Sequence, residues 1–193
     1  MKARIILASA SPRRRELLDQ IGITYEVRPV HIDETPNIDE APADYVRRIA
    51  AEKSEVCHRL TKPMGLPVLA ADTAVVFHGR IMGKPQGKED ALTMLRQLSG
   101  QTHQVYSAVS LRGLTHGEAL SVTEVTFRAI SEQEMLAYWT TTEPADKAGG
   151  YAIQGLGSVF VRSIAGSFSG VVGLPLFETA ELLLQQGIQV LHE

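Results

Sequence analysis

The sequence predicts an α/β fold built on a mixed β-sheet, and three observations carry that prediction. Residues 5–7 form a short apolar run followed by a proline-initiated helical pattern, the strand-then-helix order of an α/β unit. Residues 67–77, PVLAADTAVVF, run almost unbroken in small and branched apolar side chains, as a central strand covered on both faces does. Hairpin-like strands at 105–111 and 120–129 then interrupt the helix–strand alternation, so part of the sheet is antiparallel.

Taken in order, the buried strand at 5–7 leads into Ser11-Pro12, an N-cap residue followed by proline at the first helical position. Leu17, Leu18 and Ile21 give that helix an apolar face, and Gly22 stops it, so Arg13, Arg14 and Arg15 fall in its first turn. A short strand is expected at 25–30. A loop with Pro36 and Pro42 precedes a helix over 43–60 whose stripe is Val46, Ile49, Ala50, Val56 or Cys57, and Leu60. Lys53 lies on that stripe, seven residues after Val46. His78-Gly79 turns the chain out of the central strand, and Ala91, Leu92, Leu95 and Leu98 mark a helix over 88–98. The hairpin strands are joined by a turn at 113–117. Ser131 and Glu134 form a capping box for a helix holding Leu136, Tyr138 and Trp139. The segment EPADKAGGYAIQGLG (143–157) has no periodicity; a strand is expected at 159–161, and Pro175 opens a last helix through Leu184, closed by Gly187. With no repeat or linker, residues 1–193 read as one domain, within the roughly 100–200 residues of such units.

The composition is that of an ordinary water-soluble chain: 44% hydrophobic, 21% charged, with 19 Lys+Arg against 22 Asp+Glu for a net charge of −3. That balance argues against non-specific nucleic-acid binding but leaves room for a local anion site. Cys57 is the one cysteine, so no intramolecular disulfide forms and a reducing compartment is allowed. Lys2, Arg4, the run 5–7 and Ala8-Ser9-Ala10 imitate a signal peptide, but the apolar core is far shorter than the roughly 7–15 residues required. No apolar run approaches the ~20 residues of a membrane span. A cytoplasmic protein is expected.

Three arginines at a helix N-terminus stand where the helix dipole disfavours cations. Either they splay into water, or an anionic ligand turns the conflict to use, since arginine forks bind phosphate in bidentate fashion. Lys53, on an apolar stripe, must snorkel outward or meet a partner inside. Asp72 interrupts a strand that should be buried, and a buried carboxylate needs a partner, a metal or a proton; an Asp capping the strand's end is the competing reading, against which five strand-like residues follow it. Asp33-Glu34 and Asp146-Lys147 put further carboxylates on separate loops, the supply that Mg²⁺ in a phosphate site draws on, though each alone reads as a solvated loop charge. The six histidines show no metal-ligand spacing, no P-loop is present, and Gly155-Leu156-Gly157 is too short for a dinucleotide fingerprint.

Five segments together, LASASPRRRELL (7–18), AADT (70–73), GKP (83–85), DKAGGYAIQGLG (146–157) and VVGLPLFET (171–179), resemble the Maf family of nucleotide pyrophosphatases, in order and over nearly the whole chain. The resemblance implies an elongated mixed sheet flanked by helices, related to the inosine triphosphate pyrophosphatases, and an enzyme that uses a divalent cation (Mg²⁺ or Mn²⁺) to split a nucleoside triphosphate into monophosphate and pyrophosphate. It implies Asp72 as proton acceptor, Ser9, Arg13 and Arg14 as a phosphate loop, and Glu34, Lys53, Lys84, Asp146 and Lys147 around the triphosphate and metal, with Glu34 and Asp72 as metal ligands. Arg13, Thr73 and Gln154 match the positions that mark members similar to dTTP/UTP pyrophosphatases rather than 7-methyl-GTP pyrophosphatases. A glutamine amide offers the donor and acceptor that the imide edge of uracil or thymine requires. Arg15 departs from the family pattern and is expected to be surface. The expected partner is a nucleotide, with no membrane, and a homodimer is allowed. The alternatives are hydrolysis of 7-methyl-GTP or of a modified pyrimidine nucleotide, or a non-enzymatic nucleic-acid-binding or septum-regulating role, which the net charge and the lack of interleaved aromatics weigh against.

Overall fold

A computed structural model describes residues 3–191; Lys2 of the signal-like stretch lies outside them. The elements run β1 (Ile5–Leu7), α1 (Pro12–Gln20), β2 (Tyr25–Val27), α2 (Pro42–Thr61), β3 (Val68–Phe77), β4 (Arg80–Met82), α3 (Lys88–Leu98), β5 (Thr102–Arg112), β6 (His116–Phe127), α4 (Glu132–Thr140), β7 (Val161–Ala165), α5 (Phe168–Val172) and α6 (Leu176–Gln185). The seven strands form one mixed sheet in the order β2-β1-β3-β5-β6-β7, with β4 paired to β3. β1 is parallel to both β2 and β3, and the remaining pairings are antiparallel.

β3 organises the molecule. Along one edge it pairs with β5 in continuous register from Val68↔Arg112 to Val76↔Gln104. Along the other it pairs with β1 only at Val68 and Leu69, and with β4 only from Val75 to Phe77. Between them, residues 70–74 have no strand neighbour on that side among the described residues. The sheet therefore forks at its middle, and a cleft opens in the fork.

Successive side chains of a strand point to opposite faces. Leu69, Ala71 and Val75 enter the main core with Leu17 and Leu18 of α1, Leu92, Leu95 and Leu98 of α3, and Leu182 and Leu183 of α6. Val68, Ala70 and Ala74 face α2, where they meet Cys57, Val46 and Ala50. Asp72 shares the parity of this second set and Thr73 that of the first.

Several expectations shift in detail. The α2 stripe continues to Cys57 and Thr61, while Leu60 is 71% exposed. Ser11 occupies the N-cap of α1, but its side chain makes no cap bond. The strand placed at 159–161 begins only at Val161, because Leu156–Phe160 winds into a 3₁₀ turn. β4 and α5 carry too few residues for a periodic signal. The capping box at Ser131 and Glu134 is present, and His78 and Gly79 both take positive φ, as a two-residue hairpin turn demands. No helix among the described residues is long and apolar enough to cross a membrane.

Candidate active site

The cleft in the fork has a volume of about 740 Å³, and its lining includes Ser9, Arg13, Arg14, Glu34, Lys53, Asp72, Thr73, Lys84, Asp146, Lys147 and Gln154. Arg15 is not part of the lining. The walls come from the β1–α1 loop with the first turn of α1, the 29–34 loop, Tyr45 and Lys53 of α2, β3 with β4 and the residues after it, Val105 of β5, the 146–154 segment and residues 171–173.

At the floor stands an ion-pair cluster. The Lys53 ammonium lies 3.0 Å from Asp72 Oδ1 and 2.8 Å from Glu34 Oε1. Asp72 and Lys53 are both buried, whereas Glu34 keeps half of its side chain in solvent. The stripe position of Lys53 thus resolves inward: from α2 it spans to the one polar side chain that β3 turns toward that helix. Burial raises the Asp72 pKa above its ordinary value, against the opposing pull of Lys53 and Arg14. Of the Asp33-Glu34 pair only Glu34 reaches the cleft; Asp33 accepts the Thr35 N–H at 2.9 Å and closes a local turn. The Tyr45 hydroxyl donates to the Glu34 carbonyl at 3.0 Å, and burial, with Asp72 and Glu34 adding to it, pushes its pKa up to about 12.

The arginines divide the work of the opposite wall. Arg14 Nε donates to the Gly173 carbonyl at 2.9 Å and Nη1 to Ser9 Oγ at 3.1 Å, while Ser9 Oγ also accepts the Ser11 N–H at 3.2 Å. Arg14 is thereby fixed at the mouth of α1, where burial lowers its pKa against the pull of Asp72. The first turn of α1 has no acidic residue and no side-chain cap, so its N–H groups and the flanking guanidinium groups concentrate positive charge at this corner. Arg13 lines the same corner.

The far wall is the 146–154 segment. Asp146 and Lys147 pair with each other, and Gln154 is exposed on the cleft surface. Gly149 sits with φ 69° against Val75 of β3 and donates its N–H to the Gly83 carbonyl at 3.0 Å, which ties this segment to the β4 side. Thr73 lies on the other face of β3 from Asp72. Its hydroxyl is 2.9 Å from Ser107 Oγ and 3.4 Å from the Gly173 carbonyl, and Ser107 in turn donates to the Gly170 carbonyl at 2.6 Å.

Sequence reasoning missed Tyr45, Ser107 and the Gly173 carbonyl as parts of the cleft's framework. Gly173 lies in the quoted VVGLPLFET segment, but a main-chain acceptor leaves no side-chain signal. Ser107 becomes visible only through its register opposite Thr73.

Fold and cleft together define an α/β protein whose buried carboxylate, Asp72, shares a cleft with Arg13, Arg14, Lys84 and Lys147. The chain belongs to the Maf family: the model for "Maf-like protein" matches residues 4–186. It is 56% identical over 186 residues to the dTTP/UTP pyrophosphatase of Methylococcus capsulatus, covering 96% of this chain and 92% of that one. Similar figures hold for the dTTP/UTP pyrophosphatases of Saccharophagus degradans (53%; 94% and 88% covered) and Nitrosomonas europaea (54%; 96% and 96% covered). Among solved structures, the Ham1 protein of Staphylococcus aureus aligns over 64% of this chain and 71% of its own, at 18% identity and a TM-score of 0.44.

Proposed function

We propose that the chain hydrolyses the α–β phosphoanhydride of nucleoside triphosphates, with dTTP and UTP as preferred substrates, releasing the monophosphate and pyrophosphate. The observation that carries this reading is the buried Asp72 carboxylate opening into a cleft lined by Arg13, Arg14, Lys84 and Lys147. The names of the similar proteins support the same activity.

In this reading Asp72 accepts a proton from a water whose oxygen bonds to the α-phosphorus as the bridging P–O bond breaks and pyrophosphate leaves. Burial makes the carboxylate a stronger base, and Lys53 keeps it ionised and oriented. The α1 N-terminus with Ser9, Arg13 and Arg14, and Lys84 and Lys147 from the facing wall, bind the triphosphate and stabilise charge on the leaving group. Gln154 meets the imide edge of the pyrimidine, Arg13 contributes to that choice, and Thr73 acts through the α5 turn to which its hydroxyl is bound.

Glu34 and Asp72 are hard oxygen donors of the kind Mg²⁺ or Mn²⁺ takes. Among the described residues no group of three or more His, Cys, Asp or Glu side chains is arranged to hold a metal. Glu34 and Asp72 would hold such a cation together with the substrate, and it would supply charge neutralisation at the triphosphate. On this reading residues 1–193 act as one domain on free nucleotides in the cytoplasm.

The test is pyrophosphate release from a panel of nucleoside triphosphates with Mg²⁺ or Mn²⁺. dTTP and UTP should show the highest kcat/KM, and EDTA should abolish turnover. Asp72→Asn should lower kcat by about 10²–10⁴-fold while circular dichroism shows the fold retained. A preference for 7-methyl-GTP, an Asp72→Asn variant of wild-type rate, or salt-sensitive DNA binding without hydrolysis overturns the reading.

A further inference from the structure

Residues 152–155 lie outside any strand or helix, and Leu156 and Gly157 open the 3₁₀ turn, whose first N–H groups have no partner within it, so the destination of these N–H groups is an accounting question. Three of them go to one pair of side chains. The Ala152 N–H donates to Tyr138 Oη at 3.1 Å, the Leu156 N–H to Glu143 Oε2 at 2.9 Å, and the Gly157 N–H to Glu143 Oε1 at 3.0 Å. Tyr138 joins the two anchors by donating its hydroxyl to Glu143 Oε1 at 2.6 Å. Its ring is buried in the core and meets Phe160 edge-on at 5.1 Å. Gln154 sits midway along the span, held at 152 on one side and at 156 and 157 on the other.

The glycines fit this clamp. A Cβ at Gly155 would overlap the Glu143 carboxylate, and one at Gly157 would lie 2.7 Å from Tyr138 Oη and 2.8 Å from the Ala152 carbonyl. Neither glycine has a positive φ, so what they supply is space. The bonds from Tyr138 and the two main-chain N–H groups outweigh burial and hold the Glu143 pKa below its ordinary value, keeping it an acceptor at neutral pH. Neither Glu143 nor Tyr138 lines the cleft.

We propose that Glu143, joined to Tyr138, is a positioning residue that sets Gln154 against the nucleobase, so that base selection rests on a carboxylate behind the cleft wall. The proposal rests on the reading of the cleft as a nucleotide site. It separates base recognition from phosphate recognition: the clamp holds the 152–157 end of the segment, while Ser9 and Arg14 are fixed to each other and to the Gly173 carbonyl, apart from the clamp.

The experiment compares wild type with Glu143→Ala, Glu143→Gln and Tyr138→Phe, reading Kd for UMP and for inorganic tripolyphosphate, KM and kcat for UTP, the UTP-to-GTP ratio of kcat/KM, and amide hydrogen exchange at residues 156 and 157. Loss of hydrogen bonds to a charged group converts to roughly tenfold, so Glu143→Ala should weaken UMP binding, raise the UTP KM and erode the base ratio by about that factor, with tripolyphosphate affinity and kcat within about twofold. Exchange at 156 and 157 should accelerate. Glu143→Gln, whose amide oxygen still accepts one N–H, should recover part of each effect, and Tyr138→Phe should show a smaller loss of the same kind. An unchanged base ratio in an active Glu143→Ala variant, or equal losses of UMP and tripolyphosphate binding, overturns the proposal alone. A wild-type protein that binds no nucleotide overturns the site reading and this proposal together.

Discussion

Replacing Lys53 with Met removes the ammonium that Asp72 and Glu34 share while keeping most of the buried stem. Glu34 is half exposed and loses little, because exposed ion pairs contribute about 0–1 kcal/mol. Asp72 is left buried without its cation, and removing one partner of a buried pair costs about 3–5 kcal/mol when the remaining charge has no escape. Asp72 has one: it can take up a proton. Relative to an unfolded-state pKa of about 3.9, protonation costs at most about 1.36 × (7.0 − 3.9), roughly 4 kcal/mol, at pH 7 and about 1.5 kcal/mol at pH 5. The penalty should therefore be about 2–4 kcal/mol at pH 7, shrink to about 1 kcal/mol at pH 5, and nearly vanish in Lys53→Met/Asp72→Asn, where no charge needs compensation. Urea unfolding of the four corners of this cycle at both pH values measures it; at pH 7 the single variant should melt lower by about 5–12 °C. A penalty that does not fall with pH, or no penalty at pH 7, refutes the account of Asp72 as a buried charge neutralised by Lys53.

Three further outcomes follow from the geometry. His103 is buried against Tyr151, and desolvation lowers its pKa to about 4, so stability present above its unfolded pKa of about 6.5 is lost as pH falls toward 4; the loss is at most ~3 kcal/mol, and His103→Phe should flatten stability against pH in that window in denaturant titrations. Gly149→Ala places a Cβ 2.9 Å from Val75 Cγ1 at a φ of 69°, combining overpacking with left-handed strain; a loss of about 2–4 kcal/mol should appear as a lower urea midpoint. Arg14→Lys keeps the charge but not the fork that binds Ser9 Oγ and the Gly173 carbonyl together, so KM for the triphosphate should rise roughly tenfold in steady-state assays, with stability changed by less than about 1 kcal/mol.

The residues that announce themselves in the sequence are those that break a pattern. Asp72 interrupts an apolar strand and Lys53 an apolar stripe, and both breaks point at each other once α2 lies on β3. The arginines of α1 stand out because the helix dipole disfavours them there. What stays hidden is carried by backbone or by register. The fork in the sheet depends on β4, three residues long and without periodicity. Ser11 looks like a side-chain cap, yet the oxygen that receives its N–H belongs to Ser9. The late start of β7 follows from the 3₁₀ turn at Leu156–Phe160, whose first N–H groups are bound by Glu143, thirteen residues upstream of Leu156. Local propensity has no access to such a bond.

The two sides of the cleft differ in how freely they can change. Asp72 belongs to a strand locked residue by residue to β5, so it has a fixed address that no loop movement alters. Gln154 hangs on a short irregular span fastened by side chains. Substitutions in the hanging span can therefore reshape one wall of the cleft while Asp72 keeps its address.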